Sequence, residues 1–345
     1  MIEVDNLSIS LFKDFSTKEW DELLSTFDGT INYTAWFINY IEVLNARSSI
    51  KNLTFGLFKN NMVIAIVPLY VEKIDSNWQI SMGQEPIFAP IFNKNVPNNV
   101  ISEYYEYIVA EIDRIASQHQ CILARFHYSP LLHTNVNHNY FTEFGYRKDI
   151  LYPNWYIFKA EFSYVINLLI EENELYCCVR KSSKPNINRT RRETKLIVLD
   201  GNNFDQSLFN QYVQLYYKIK GKKRNPRAFE LDSVAIQKGF EVLLLCQYKD
   251  KLIGAVALHT HNGKARYNSS VQDYDIDKSI YPNHFLLWES IVYLKEKGFD
   301  LFEIGEQVAE SMELSNKERN LSHFKAGWGG ALVPWMKAQK EFEHV

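Results

Sequence analysis

Little in this chain of 345 residues offers a metal centre or a disulfide framework. It has four cysteines, Cys121, Cys177, Cys178 and Cys246, and their spacing matches no metal-ligand pattern. Cys177 and Cys178 are adjacent and make poor partners for each other. Free buried thiols in a reducing compartment are expected. Long apolar runs are missing too. The longest, residues 62–71 (MVIAIVPLYV), is far short of a membrane span and carries a proline. No sustained heptad pattern occurs, and no RNA-recognition signature. The first residues, MIEVDNLSISLF, are acidic where a secretory leader is basic, so the expectation is a cytoplasmic protein without a transmembrane segment.

A hydrophobic share of 46% and a charged share of 23% are those of a globular protein, and the length calls for two domains. We expect them at 1–160 and 161–345. The net charge of −3 is unevenly spread. Residues 176–227 hold thirteen Lys/Arg and three Asp/Glu, a net of +10, so the remainder sums to −13. A basic belt in an acidic protein fits an anionic partner: a nucleotide, CoA, a tRNA end, or a lipid pyrophosphate at a membrane face. A solvated helix surface is the plainer reading.

The order of elements repeats. Residues 53–59, 62–71 and 78–82 read as three strands. A proline-bearing loop, a helix at 100–118 and a strand at 121–126 follow. The second half gives strands at 242–248, 252–259 and 265–270, with Asn262-Gly263 as a hairpin turn. A helix at 283–297 and a strand at 299–304 close it. Helical stretches precede each copy, at 17–27 and 35–44, then at 164–194 and 204–218. The helix at 283 is the clearest. Leu287, Trp288, Ile291 and Leu294 share a face, Pro282 suits the first turn, and Gly298 suits the C-terminal cap. A strand–helix–strand unit of this kind joins parallel strands and points its helix N-terminus at the edge where ligands bind.

The basic stretch VRKSSKPNINRTRRE, the hairpin YKDKLIGAVAL, the helix PNHFLLWESI, the strand KGFDLFEIG and the tail HFKAGWGG occur in that order. Together they resemble the FemAB-like aminoacyltransferases, which form peptidoglycan bridges, within the GNAT acyltransferase superfamily. The resemblance spans essentially the whole chain. It implies an α/β (α+β) fold of two tandem GNAT-like domains, each a mixed twisted sheet flanked by helices, with the donor site in the second. It implies transfer of an acyl or aminoacyl group to an amine in cell-envelope or surface-polysaccharide precursor synthesis, with acyl-CoA or aminoacyl-tRNA as donor and no metal. The acceptor would be an amine-bearing sugar or peptidoglycan precursor, reached by peripheral contact if it is membrane-bound. Two departures stand out. The coiled-coil arm of some bridge-forming members is absent. The glycine-rich CoA loop is replaced by Ser279-Ile280-Tyr281-Pro282-Asn283. A CoA-dependent N-acetyltransferase of an amino sugar and a non-catalytic GNAT-fold binding protein are the alternatives.

In amine acylation an oxyanion develops, and a fixed ammonium stabilises it. By the resemblance Lys325 supplies that ammonium and Phe324 packs against the donor. Glu306, at a strand end, is placed as general base. Tyr267, Asn268 and Ser269 lie on the third strand, where alternation sends Tyr267 and Ser269 to one face. Tyr281, Asn283 and His284 begin the helix, where its dipole disfavours protonation of His284. His259 and His261 flank a hairpin turn and are expected to be exposed. Glu303 faces either solvent or the cleft. Gly327, Gly329 and Gly330 allow close backbone approach. Arg180 and Arg224 represent the basic belt as contacts for donor phosphates.

Overall fold

The computed structural model describes residues 7–45, 49–132, 156–221, 224–307 and 315–342. The chain divides into two compact units, Met1–Ala160 with Trp335–Val345, and Glu161–Pro334.

The first unit runs β1 (Leu7–Leu11), α1 (Thr17–Leu24), α2 (Ala35–Leu44), β2 (Ile50–Asn52), β3 (Phe55–Lys59), β4 (Met62–Val67), β5 (Tyr70–Ile74), β6 (Asn77–Ile80), β7 (Ile87–Phe88), β8 (Ile91–Phe92), α3 (Asn98–His119) and β9 (Cys121–His127). The run MVIAIVPLYV is two strands, not one. Pro68 has no N–H to extend a ladder. The chain therefore leaves the β1-β3-β4-β8 sheet at Val67 and enters a second sheet at Tyr70, where β5 pairs with β6 and β2. The helix α3 follows β8 and leads into β9, which runs parallel to β6 from Trp78↔Cys121.

The second unit comprises β10 (Tyr156–Asn167), α4 (Glu172–Cys178), α5 (Ser183–Glu193), β11 (Lys195–Leu199), α6 (Gln206–Lys220), α7 (Pro226–Gln237), β12 (Glu241–Tyr248), β13 (Lys251–His261), β14 (Lys264–Gln272), α8 (Pro282–Glu296), β15 (Leu301–Gln307) and α9 (Asn316–Lys325). Its sheet has the order β11-β12-β13-β14-β15-β10, with β14 and β15 parallel. Val242, Leu244, Val256, Leu258, Phe302 and Ile304 bury one face against α8. Leu243, Leu245, Ala255, Ala257 and Val271 bury the other against α6 and α7. The final strand, β16 (Ala331–Glu341), leaves this unit. Its residues Lys337–Glu341 pair antiparallel with β9, so the chain end belongs to the first unit and not to residues 161–345 as a block.

The helix expected at 164–194 is a strand and two helices. Residues 164–170, YVINLLI, form a short apolar run, which periodicity cannot separate into helix or strand. Phe162–Asn167 pairs with β15, and extended backbone at Val179 separates α4 from α5. Lys218 and Lys220 of the basic belt lie in the last turn of α6, and α7 starts at an Asn225 cap with Pro226 at its first position.

Candidate functional site

The parallel strands β14 and β15 pair at only three positions: Lys264↔Leu301, Ala265↔Phe302 and Arg266↔Glu303. Beyond Arg266, β14 continues to Gln272 on β13, and beyond Glu303, β15 continues to Gln307 on β10. Each strand is thus paired on its outer edge while the facing edges separate. Gly305, at φ +107°, and a register shift at Tyr164/Val165 bend β15 away. The result is a wedge at the carboxyl edge of the sheet, where ligands bind in open α/β sheets.

Lys325 ends α9 and enters this wedge. Its Nζ donates to the Glu306 carbonyl at 3.0 Å, and a Cβ on Gly305 would stand 3.0 Å from the same nitrogen. Burial holds the Lys325 pKa below the ordinary lysine value. Glu306 and Glu303 oppose that shift, and Arg266 adds to it. The Glu306 side chain is half-buried at the end of β15.

Beside Lys325 lies an aromatic cluster. The Phe324 ring meets His284 at 5.2 Å and Trp328 at 5.5 Å, both edge-on, and Tyr281 meets His284 at 5.7 Å. His284 is held below its usual pKa by burial first and by Arg180 second. The sequence argument from the helix dipole reached the same direction by another cause. Arg180 donates its backbone N–H to the Gly327 carbonyl at 2.8 Å, and its guanidinium lies against Gly327. Gly330 approaches the Val165 carbonyl so closely that a Cβ would stand 2.7 Å away. The Oδ1 of Asn283 and the indole Nε1 atoms of Trp288 and Trp328 are buried with no hydrogen-bond partner.

The loop entering α8 spends its amides internally. Ser279 N–H donates to Asp277 Oδ1 at 2.8 Å, Ile280 N–H to the Asp277 carbonyl at 3.0 Å, and Tyr281 N–H to Thr190 Oγ1 at 2.9 Å. Pro282 has none. His284 and Phe285 both donate to the Tyr281 carbonyl. Only Asn283 in the first turn keeps its N–H for a ligand. Asp277 is ionised in the same loop, its pKa lowered chiefly by the backbone N–H and side chain of Ser279. A pyrophosphate needs several convergent amides and no adjacent carboxylate.

Other expected residues sit elsewhere. A bulge opposite Ala257/Leu258 makes Leu258 face Tyr267 and Ala257 face Ser269, leaving Asn268 as the extra, exposed residue. Tyr267 therefore packs on the α8 face. Ser269 turns to the α6 face, where it and the Tyr212 hydroxyl are hydrogen-bonded. Simple alternation had put both on one face. Arg224 is in the interior of the α6/α7 face, forked onto Asp232 at 2.7 and 2.9 Å and stacked 4.4 Å over Phe229. His259 is buried and His261 largely covered, with pKa values lowered by burial to about 3 and about 4; neither is the exposed histidine expected. Of the thiols, Cys121 and Cys246 are buried but Cys177 and Cys178 are exposed. Among the described residues no His/Cys/Asp/Glu group could hold a metal ion, and no helix is long and apolar enough to cross a membrane.

The fold recurs in solved structures. FemX is 12% identical, with 95% of this chain and 96% of that chain covered, at a TM-score of 0.67. The chain has the FemX fold. The structure of L-PGS from Bacillus licheniformis shares it at 12% identity, covering 96% and 93%, with a TM-score of 0.60. So does the C-terminal domain of a putative lysylphosphatidylglycerol synthetase from Agrobacterium fabrum, at 13% identity, covering 94% and 92%, with a TM-score of 0.55. No protein-family model and no curated protein matches the sequence. In the second unit β14, α8 and β15 form a parallel crossover.

Neither Arg266 nor Trp328 stands out in the sequence as a site residue. For Arg266 the available signal is its position on the third strand, just before the polar run YNSS. Trp328 lies between the glycines of HFKAGWGG.

Proposed function

We propose that this chain is an N-acyltransferase of the aminoacyl type, moving an aminoacyl group from a tRNA ester to an amine on a cell-envelope or surface-polysaccharide precursor. The observation that carries this reading is the half-buried Lys325 ammonium fixed at the mouth of the β14/β15 wedge. In the proposed reaction the acceptor amine bonds to the ester carbonyl carbon and the ester C–O bond breaks. The amine's proton ends on the leaving ribose hydroxyl. Lys325 stabilises the oxyanion between these events, Phe324 and His284 hold the donor end, and Glu306 carries the proton in transit.

The donor assignment rests on the α8 entry loop. The amides of Ser279, Ile280 and Tyr281 are already paired and Asp277 is charged, which opposes a CoA pyrophosphate there. The exposed Arg189 and Arg192 of α5, which packs beside α8, suit an RNA backbone instead. The fold shared with a protein named as a lysylphosphatidylglycerol synthetase agrees with an aminoacyl donor.

The test incubates the purified chain with charged tRNA or with a panel of acyl-CoAs, supplies amine-bearing envelope precursors, and follows amide formation by mass spectrometry. Transfer from charged tRNA is expected, with Lys325→Ala reducing turnover about 10²- to 10³-fold. Transfer from acyl-CoA alone would replace the tRNA assignment. Donor binding without turnover in the unaltered protein would make it a binding protein.

A further inference from the structure

A row of ionisable side chains crosses the second unit at the point where the wedge opens. Register places Glu241 opposite His259, His259 opposite Arg266, and Arg266 opposite Glu303, on four consecutive strands. The contacts follow the register. His259 Nε2 is 3.7 Å from Glu241 Oε2, and Arg266 Nε is 3.6 Å from Glu303 Oε2. Ser163 on β10 donates to Glu303 Oε1 at 2.9 Å. Glu303 is 2% exposed, so its carboxylate is held in a poorly screened interior. It is the last residue of β15 paired with β14, two positions before the Gly305 that makes room for Lys325.

We propose that Glu303, oriented by Ser163 and Arg266, is the positioning residue that keeps Lys325 charged and directed into the wedge. The proposal rests on the transfer reading above only for what that charge is used for. Burial by itself works against an ammonium. Lys325 Nζ sits at Gly305 and the Glu306 carbonyl, between the β15 carboxylates of Glu303 and Glu306, which favour its charge, and Arg266 of β14, which opposes it. Arg180 before α5 and His284 on α8 face the adjoining Gly327 and Phe324. Removing Glu303's charge therefore disfavours the ammonium, and removing Arg266's charge favours it.

The experiment needs no substrate. The full chain is labelled with trace acetic anhydride across a pH series, and acetylation of Lys325 is quantified by peptide mass spectrometry. Its titration midpoint follows directly. Glu303→Gln, which keeps the Ser163 hydrogen bond, is expected to lower the midpoint by about one pH unit. Arg266→Met is expected to raise it. Ser163→Ala keeps every charge and is expected to move it less than either. Unchanged midpoints in folded Glu303→Gln and Arg266→Met, or an equal shift in Ser163→Ala, would overturn the proposal. If the protein transfers no acyl group from any donor, this titration still decides the role of Glu303, so the two readings fail separately. Where transfer is measurable, the pH profile of kcat in Glu303→Gln is expected to move with the labelling midpoint. A kcat profile that stays in place would overturn the proposed link.

Discussion

At Gly305 a methyl group would stand 3.0 Å from the Lys325 nitrogen, on backbone at φ +107° that side chains rarely adopt. Gly305→Ala therefore meets two costs: strained backbone, on the order of 1–3 kcal/mol, and displacement of the ammonium. A lower melting temperature is expected, together with a loss of transfer of about 10²-fold, because a misplacement of roughly 1 Å is enough for that. Thermal unfolding and the transfer assay check the two effects separately. Gly330 differs. Its missing Cβ would meet the Val165 carbonyl at 2.7 Å and touches no proposed reacting group. Gly330→Ala is expected to lower the melting temperature while turnover per folded molecule stays near that of the parent. The sequence marked Gly330 but not Gly305 as a place of close approach, and only the fold distinguishes a backbone contact from one that seats the Lys325 ammonium.

The elements that matter most are α8 and α5. The former was legible because its apolar face, Pro282 and Gly298 all agree locally. It runs Pro282–Glu296 with Gly298 at φ +77° just beyond. The way it presents its N-terminus was not legible, because Tyr281 N–H is taken by Thr190, ninety-one residues earlier. Acyl-CoAs up to millimolar concentration are accordingly expected to leave the melting temperature unchanged. A ligand at about a hundred times its dissociation constant would add roughly 2.7 kcal/mol. On α5, Arg191 is hydrogen-bonded to Glu289 of α8, whereas Arg189 and Arg192 are exposed. Arg189→Glu with Arg192→Glu is expected to weaken tRNA binding and to reduce its salt slope by about two. An unchanged slope in a filter-binding titration would remove α5 from the interface.

At the scale of the whole molecule, pH couples to stability through the interior of the α6/α7 face. Burial raises the Asp232 pKa to about 6 and the Glu241 pKa well above its ordinary value. A carboxyl with a raised folded pKa contributes stability that is fully present below the unfolded value, about 4, and lost as pH rises through the folded one. Lowered histidines act oppositely. His259 and His261 lose stability for the fold as pH drops below about 6.5. The two effects oppose each other between about pH 4 and 6.5, and Glu241 prevails above that. Melting temperatures are expected to fall from neutral to alkaline pH. Glu241→Gln is expected to flatten that decline, gaining a few degrees, about 4 °C per kcal/mol, relative to the parent by pH 9. Parallel declines in the two proteins would show that Glu241 is not the group responsible.

Local chemistry fixed much of this protein in advance. Periodicity and turn residues set the hairpin β12–β13, the strand β14, the helix α8 and the strand β15, because each depends on residues a few positions apart. Phe324 and Lys325 in the tail HFKAGWGG were singled out by the family resemblance instead. Tertiary structure decided the rest, because it depends on partners far along the chain. A bulge turned Ser269 away from Tyr267, and Asp232 drew Arg224 out of the basic belt. Pairing with β9 returned the chain end to the first unit. The register of four strands placed Glu303 opposite Arg266 at the point where the wedge opens, and no run of neighbouring residues encodes such a register, since it is set by which faces of the sheet must be buried.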